Sequence, residues 1–222
     1  MPAALDKPLV CYVTERKTAG AGARTEILLE KIRASVEVRV DWIQIREKDL
    51  PARELLALAR EAVGITQTLG RKTQVLVNDR LDVALAAGAA GVHLGRESVP
   101  AKEVVKWCRA GNAPPGFLIG VSTHSLEETR EAKMAGADYV FFGPIYDTPS
   151  KRAFGQPQGV ARLAEASAAV RIRVIAIGGI NQQNAAECLR AGAKGIAAIR
   201  MFQEAKDGPA LAEIIARLHG RN

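Results

Sequence analysis

Gln44, Arg46 and Lys48 stand two residues apart at the end of an apolar run, Asp41-Trp42-Ile43-Gln44-Ile45. Strand side chains alternate with period two, so these three share one face. An amide followed by two cations suits a phosphorylated ligand. Arg presents a planar fork of donors and Lys a compact charge. The plainer alternative is a solvated strand end in which Arg46, Glu47 and Lys48 pair locally.

Asn78-Asp79 closes a second run, Gln74-Val75-Leu76-Val77. A carboxylate there can hold Mg²⁺, which takes one or two carboxylates and completes its shell with water and phosphate oxygens. The competing reading is an N-cap for a helix starting near Leu81. Thr148, Ser150 and Lys151 bring two hydroxyls and a cation to one long loop, 143–155, of the length that lids often have. Gly178-Gly179 follows Arg173-Val174-Ile175-Ala176-Ile177, where glycine N–H groups can approach a phosphate, and Asn181 can cap the next helix. The histidines say less. His93 lies inside an apolar run and reads as a satisfied core residue, His124 follows Ser122-Thr123 in a loop, and His219 is near the C-terminus. No pair has metal-ligand spacing, and no G-x-S-x-G or Cys/His nucleophile pattern is present.

These groups are far apart in the chain, so the elements must bring them together. Apolar runs predict strands near 9–14, 41–46, 73–78, 91–95, 117–122, 139–143, 173–178 and 195–199. Helical patterns such as Ala52–Leu69, Ala101–Arg109, Leu126–Ala135 and Gln182–Ala191 lie between them. Alternation of this kind implies a parallel sheet, and eight such units close as a (β/α)8 TIM barrel, one domain over 1–222. Polar strand ends then converge on the C-terminal face, where barrels place their active sites. An Ala-Gly-Ala motif recurs at Ala87-Gly88-Ala89, Ala135-Gly136-Ala137 and Ala191-Gly192-Ala193. Each would stop a helix just before strands four, six and eight. An open doubly wound sheet lacks its fingerprint here, since no G-x-G-x-x-G follows the first strand.

The chain has 222 residues and a net charge of +7. Lys and Arg are interspersed with Asp and Glu, and aromatics make up only 5%. That pattern argues against nucleic acid and for an anionic small molecule. No apolar stretch is long enough to span a membrane, and the first residues lack a signal-peptide core. Cys11, Cys108 and Cys188 are widely spaced, as expected of reduced thiols in a cytoplasmic protein.

The motifs together are recognisable. Ile43-Gln44-Ile45-Arg46-Glu47-Lys48, Val77-Asn78-Asp79-Arg80-Leu81-Asp82, Gly91-Val92-His93-Leu94-Gly95 and Val121-Ser122-Thr123-His124-Ser125 occur in that order. Gly143-Pro144-Ile145-Tyr146, Thr148-Pro149-Ser150-Lys151 and Ala176-Ile177-Gly178-Gly179-Ile180 follow. Over nearly its full length the chain resembles the thiamine phosphate synthase family. The resemblance implies a Mg²⁺-dependent transferase. Its substrates would be a pyrimidinylmethyl diphosphate and a thiazole phosphate, often in carboxylated form. Diphosphate leaves, the thiazole nitrogen attacks the exocyclic carbon, and thiamine phosphate forms, with loss of CO₂ when the thiazole is carboxylated.

By resemblance, Gln44, Arg46, Lys48, Asn78, Ser122 and Lys151 hold the pyrimidine diphosphate, with Ile45 and Glu47 also among the substrate-binding residues and Arg46, Lys48 and Lys151 catalytic. Asp79 holds Mg²⁺. Thr148, Ser150 and Gly179 hold the thiazole phosphate, Pro149 is a further substrate-binding residue, and Ile199 and Arg200 occupy the matching strand-eight position. Three departures stand out. Ser98 replaces the family's second Mg²⁺ carboxylate, Arg200 replaces a Ser, and Asp147 replaces a Pro. The related thiazole tautomerase carries a catalytic His where this chain has Pro144. A tautomerase-like isomerase and a non-catalytic binding paralogue remain alternatives to the synthase, and homo-oligomers remain open.

Overall fold

The computed structural model describes residues 7–19, 25–148, 156–205 and 207–219. Eight strands close a barrel in sequence order: β1 (Leu9–Val13), β2 (Trp42–Ile45), β3 (Gln74–Asn78), β4 (Gly91–Leu94), β5 (Leu118–Thr123), β6 (Tyr139–Phe142), β7 (Arg173–Ile177) and β8 (Gly195–Ala198). Every pairing is parallel, and β8 returns to β1 through Leu9 opposite Gly195 and Cys11 opposite Ala197. The eight predicted strands are borne out to within a residue or two at each end. The helices are α1 (Thr25–Glu37), α2 (Ala52–Thr68), α3 (Leu81–Ala86), α4 (Ala101–Trp107), α5 (Leu126–Met134), α6 (Gly159–Ala169), α7 (Ala185–Arg190), α8 (Arg200–Gln203) and α9 (Gly208–Leu218). No described helix is long and apolar enough to cross a membrane.

Period two sorts each strand between two cores. Val10, Tyr12, Ile43, Ile45, Val75 and Val77 face the helices. Cys11, Val13, Trp42, Leu76, Tyr139, Phe141, Ile175 and Ala197 fill the barrel. Gly120, opposite Tyr139 in the register, makes room for that ring, because a Cβ there would lie 2.0 Å from Tyr139 Cζ. The three cysteines are buried and free.

The Ala-Gly-Ala motifs do stop helices. Gly88, Gly136 and Gly192 have φ of 68°, 88° and 97°. Their N–H groups reach Leu85, Lys133 and Leu189, and the next residues reach Ala84, Ala132 and Cys188. These paired bonds satisfy the last carbonyls of α3, α5 and α7 and release the chain into β4, β6 and β8.

Two aspartates brace the opposite end of the barrel in the same way. Asp41, just before β2, accepts the Val10 N–H at 2.9 Å and lies 2.9 Å from Lys7 Nζ and 3.2 Å from His219 Nε2, just past α9. Asp138, just before β6, accepts the Ile119 N–H at 2.7 Å and takes both oxygens' bonds from Arg109.

Candidate active site

Trp42 faces inward while Ile43 and Ile45 face the helices, so Gln44 must enter the barrel. It is 1% exposed, and its Nε2 donates to Asn78 Oδ1 at 2.9 Å. Its Oε1 is buried without a hydrogen-bond partner among the described residues. Exchanging O and N in both amides would still leave one Gln44 atom unpaired.

The chain leaves β2 with the same alternation. Arg46 is half-buried, its N–H donates to Thr14 Oγ at 2.9 Å, and its guanidinium lies 3.1 Å from Glu15 Oε1. Lys48 is exposed. Ile45 and Glu47, expected among the substrate contacts, turn their side chains away from the barrel interior. Ile45 packs in the outer core. The Glu47 carboxylate accepts the Thr14 hydroxyl at 2.7 Å and the Arg16 N–H at 3.0 and 3.1 Å. Burial raises its pKa despite these bonds. Odd positions here point away from the barrel axis, which is why Glu47 braces the loop after β1.

Asp79 does not cap α3. The N-cap is Arg80, with no side-chain bond, so the capping alternative is set aside. Asp79 takes a left-handed φ of 67°, and its N–H donates to the His93 carbonyl at 2.8 Å. Such a backbone is uncommon outside glycine, and it leaves the carboxylate exposed at the rim. The Ser98 hydroxyl donates to Asp79 Oδ1 and accepts the Gly95 N–H at 2.8 Å. A carboxylate and a hydroxyl are hard oxygen donors, so this pair fits Mg²⁺ if substrate and water supply the other ligands. Among the described residues no group of three His, Cys, Asp or Glu could hold a metal.

Ser122, near the end of β5, lies 2.9 Å from His93 Nε2, and His93 Nδ1 lies 3.1 Å from the Tyr139 hydroxyl. His93 is buried inside the barrel, and its ring centroid is 4.2 Å from that of Phe141. Burial, and secondarily the charge of Arg46, push its pKa down to about 3, so the ring is neutral. The expected core histidine is thus satisfied, and its partner Ser122 is one of the residues expected to bind substrate. The strand register carries the signal that sequence reading lacked, since it sets His93 opposite Asn78 and Gly120. A cleft of about 300 Å³ adjoins Ser122, lined also by Gly95, Arg96, Lys102 and His124. A larger groove of about 620 Å³ includes Asp79 but runs over Leu81, Val99, Val104 and Trp107, an apolar lining unsuited to a diphosphate.

After β7, Gly178 and Gly179 take φ of 94° and 69°. A Cβ on Gly179 would meet Tyr146 Cβ at 2.7 Å, so the turn is closely packed on the loop after β6. Asn181 caps a turn rather than the helix itself: its Oδ1 accepts the N–H groups of Gln183 and Asn184, and α7 begins at Ala185. Ile199 adjoins the inner core and Arg200 is the exposed first residue of α8. Thr148 is half-buried. Pro149, Ser150 and Lys151 lie outside the described residues.

Comparison with known proteins gives a consistent result. Residues 10–202 match the family described as thiamine monophosphate synthase. A thiamine-phosphate synthase of Moorella thermoacetica is 39% identical over 214 residues, covering 95% of this chain and 97% of that one. One from Roseiflexus sp. is 40% identical over 199 residues, covering 90% of this chain and 80% of the relative. The solved thiamine phosphate pyrophosphorylase of Pyrococcus furiosus superposes with a TM-score of 0.78 at 33% identity, covering 96% and 98% of the two chains.

Proposed function

Because the chain belongs to the thiamine monophosphate synthase family and is a thiamine-phosphate synthase, we propose how its own residues divide the work. The pyrimidinylmethyl diphosphate sits over Gln44 and Asn78, with its leaving group toward Arg46, Lys48, Ser122 and Lys151. The thiazole phosphate lies toward Thr148, Ser150 and Gly179, with Ile199 and Arg200 beside it.

The observation that carries this reading is the buried Gln44 Oε1, which has no partner among the described residues. A buried acceptor without a donor costs roughly 1–3 kcal/mol. The amino group of an aminopyrimidine is a donor of the right kind. The polar floor around it supports the same reading, because Arg46, Asn78 and Ser122 lie at the C-terminal ends of β2, β3 and β5, which the closed barrel brings to one face.

A pyrimidinylmethyl diphosphate can ionise to a stabilised cation, so no protein nucleophile is needed. What the protein must supply is stabilisation of charge growing on the departing diphosphate. Arg46 and Lys48 serve this with fixed positive charge, and Ser122 with a hydroxyl. Asp79, with Ser98 beside it, would hold Mg²⁺, whose contribution when bound is to neutralise diphosphate oxygens. Pro144 offers no proton-transfer group at the position where the tautomerase resemblance would require a His.

Purified protein given both substrates and Mg²⁺ is expected to release thiamine phosphate and diphosphate in equal amounts. Arg46→Ala should lower turnover about a hundredfold or more while circular dichroism stays unchanged. Isomerisation without coupling, or saturable binding without turnover, would replace the synthase reading. Undiminished turnover in Arg46→Ala would remove that residue from it.

A further inference from the structure

Beneath Ser122 the barrel holds a hydrogen-bonded chain of three side chains, Tyr139, His93 and Ser122. Its direction follows from burial. The Tyr139 hydroxyl is fully inside the barrel, and His93 Nδ1 is its one hydrogen-bond partner among the described residues. Were Nδ1 protonated and donating, the phenolic hydrogen would be buried with no acceptor, an arrangement that folded proteins avoid. The phenol must therefore donate to Nδ1. A neutral imidazole carries one N–H, so its hydrogen is on Nε2 and points to Ser122 Oγ. With one of its two oxygen lone pairs taken from below by that N–H, Ser122 keeps its own hydrogen for the cavity. The opposite tautomer would draw the Ser122 hydrogen down onto Nε2 and present only lone pairs to an anion.

We propose that His93 is a positioning residue: Tyr139 holds it as the Nε2–H tautomer, and this turns the Ser122 hydroxyl into an obligate donor toward the leaving diphosphate. The inference rests on the reading that Ser122 faces the diphosphate. Burial keeps the Tyr139 phenol protonated, in accord with its role as donor. His93 is wedged against Phe141 on one side and lies 5.5 Å from the Tyr139 ring, so it has little freedom to flip. Such a chain orients a catalytic hydroxyl without touching the substrate.

Nitrogen-15 NMR of histidine-labelled protein reads the tautomer directly, whether or not the protein turns over. A pyridine-type Nδ1 and a protonated Nε2 are expected for His93 in the wild type, with loss of that preference in Tyr139→Phe, which keeps the ring and removes only the donor. In coupling kinetics Tyr139→Phe should lower kcat on the order of tenfold, short of the roughly hundredfold for removing an oxyanion donor outright. The KM for the thiazole substrate should stay put. In a Ser122→Ala background the same change should have no further effect, a non-additivity that a merely structural role would not produce. His93→Gln, whose amide can donate to Ser122, should retain more activity than His93→Leu. An Nδ1–H tautomer in the wild type, or additive effects of Tyr139→Phe and Ser122→Ala, would overturn the relay. A wild type that fails to couple would instead sink the synthase reading, while the measured tautomer still decides the relay.

Discussion

Ser98 shows how one atom can shift a metal site. Its hydroxyl already donates to Asp79 Oδ1, so position 98 faces the carboxylate that the Mg²⁺ reading uses. Ser98→Asp would put a second carboxylate beside the first, and a hard cation prefers charged oxygens. Half-saturating Mg²⁺ for coupling should therefore fall severalfold in Ser98→Asp. Without metal the variant should be slightly less stable, because two carboxylates would face each other. Superimposable Mg²⁺ titrations would mean that position 98 does not reach the metal. Glu47 makes the opposite point. It sits between two cations, Arg46 and Lys48, yet its carboxylate bonds Thr14 and Arg16 instead.

Asp41 and Asp138 tie neighbouring strands at the end of the barrel away from the site, where structure serves stability rather than chemistry. Burial alone would raise the Asp41 pKa. Bonds from His219, Lys7 and the Val10 N–H outweigh it, and the net shift is downward. A carboxyl with a depressed folded-state pKa stabilises the fold above its unfolded value near 3.8, and the stability is lost as pH falls below that through the folded value. Asp41→Asn should cost about 1.5–3 kcal/mol at pH 7, since hydrogen bonds to a charged group are replaced by neutral ones. It should also flatten the acid limb of stability below pH 4. Urea unfolding at pH 7 and at pH 3 measures both, and an equal loss at the two values would show that the carboxylate charge is not what matters. The same contact anchors the end of α9, so the loss should appear first as release of that helix.

Closure of the barrel depends on fitting large rings against absent side chains. Trp42, Tyr139, Phe141 and His93 stack across the interior, with Trp42 and Tyr139 centroids 4.6 Å apart and those of Tyr139 and Phe141 5.4 Å apart. Gly120→Ala would drive a methyl into the Tyr139 ring, which is boxed in and cannot swing away. Overpacking of this kind costs about 1–3 kcal/mol. Because the displaced ring carries His93 and hence Ser122, activity should drop as well. Thermal unfolding together with coupling kinetics checks this, and a variant as stable and as active as wild type would show that the interior has room to spare.

Most of the barrel was legible in the sequence, and the reason is local. Strand runs, helix stops at Gly88, Gly136 and Gly192, and the alternation along β2 all depend on residues within a few positions of one another. Gln44 facing inward, and Ile45 facing out, follow from period two once the barrel is assumed. Contacts between strands could not be read this way. That Asp79 meets Ser98, that Glu47 braces Thr14, and that His93 joins Tyr139 to Ser122 depend on strand register and on backbone turns such as the left-handed Asp79. Register couples residues remote in the chain, and no local pattern encodes it. The residue types that can bind a diphosphate were thus written in the strand ends. Which of them point into the cavity, and which hold the others in place, was decided only when the eight strands closed.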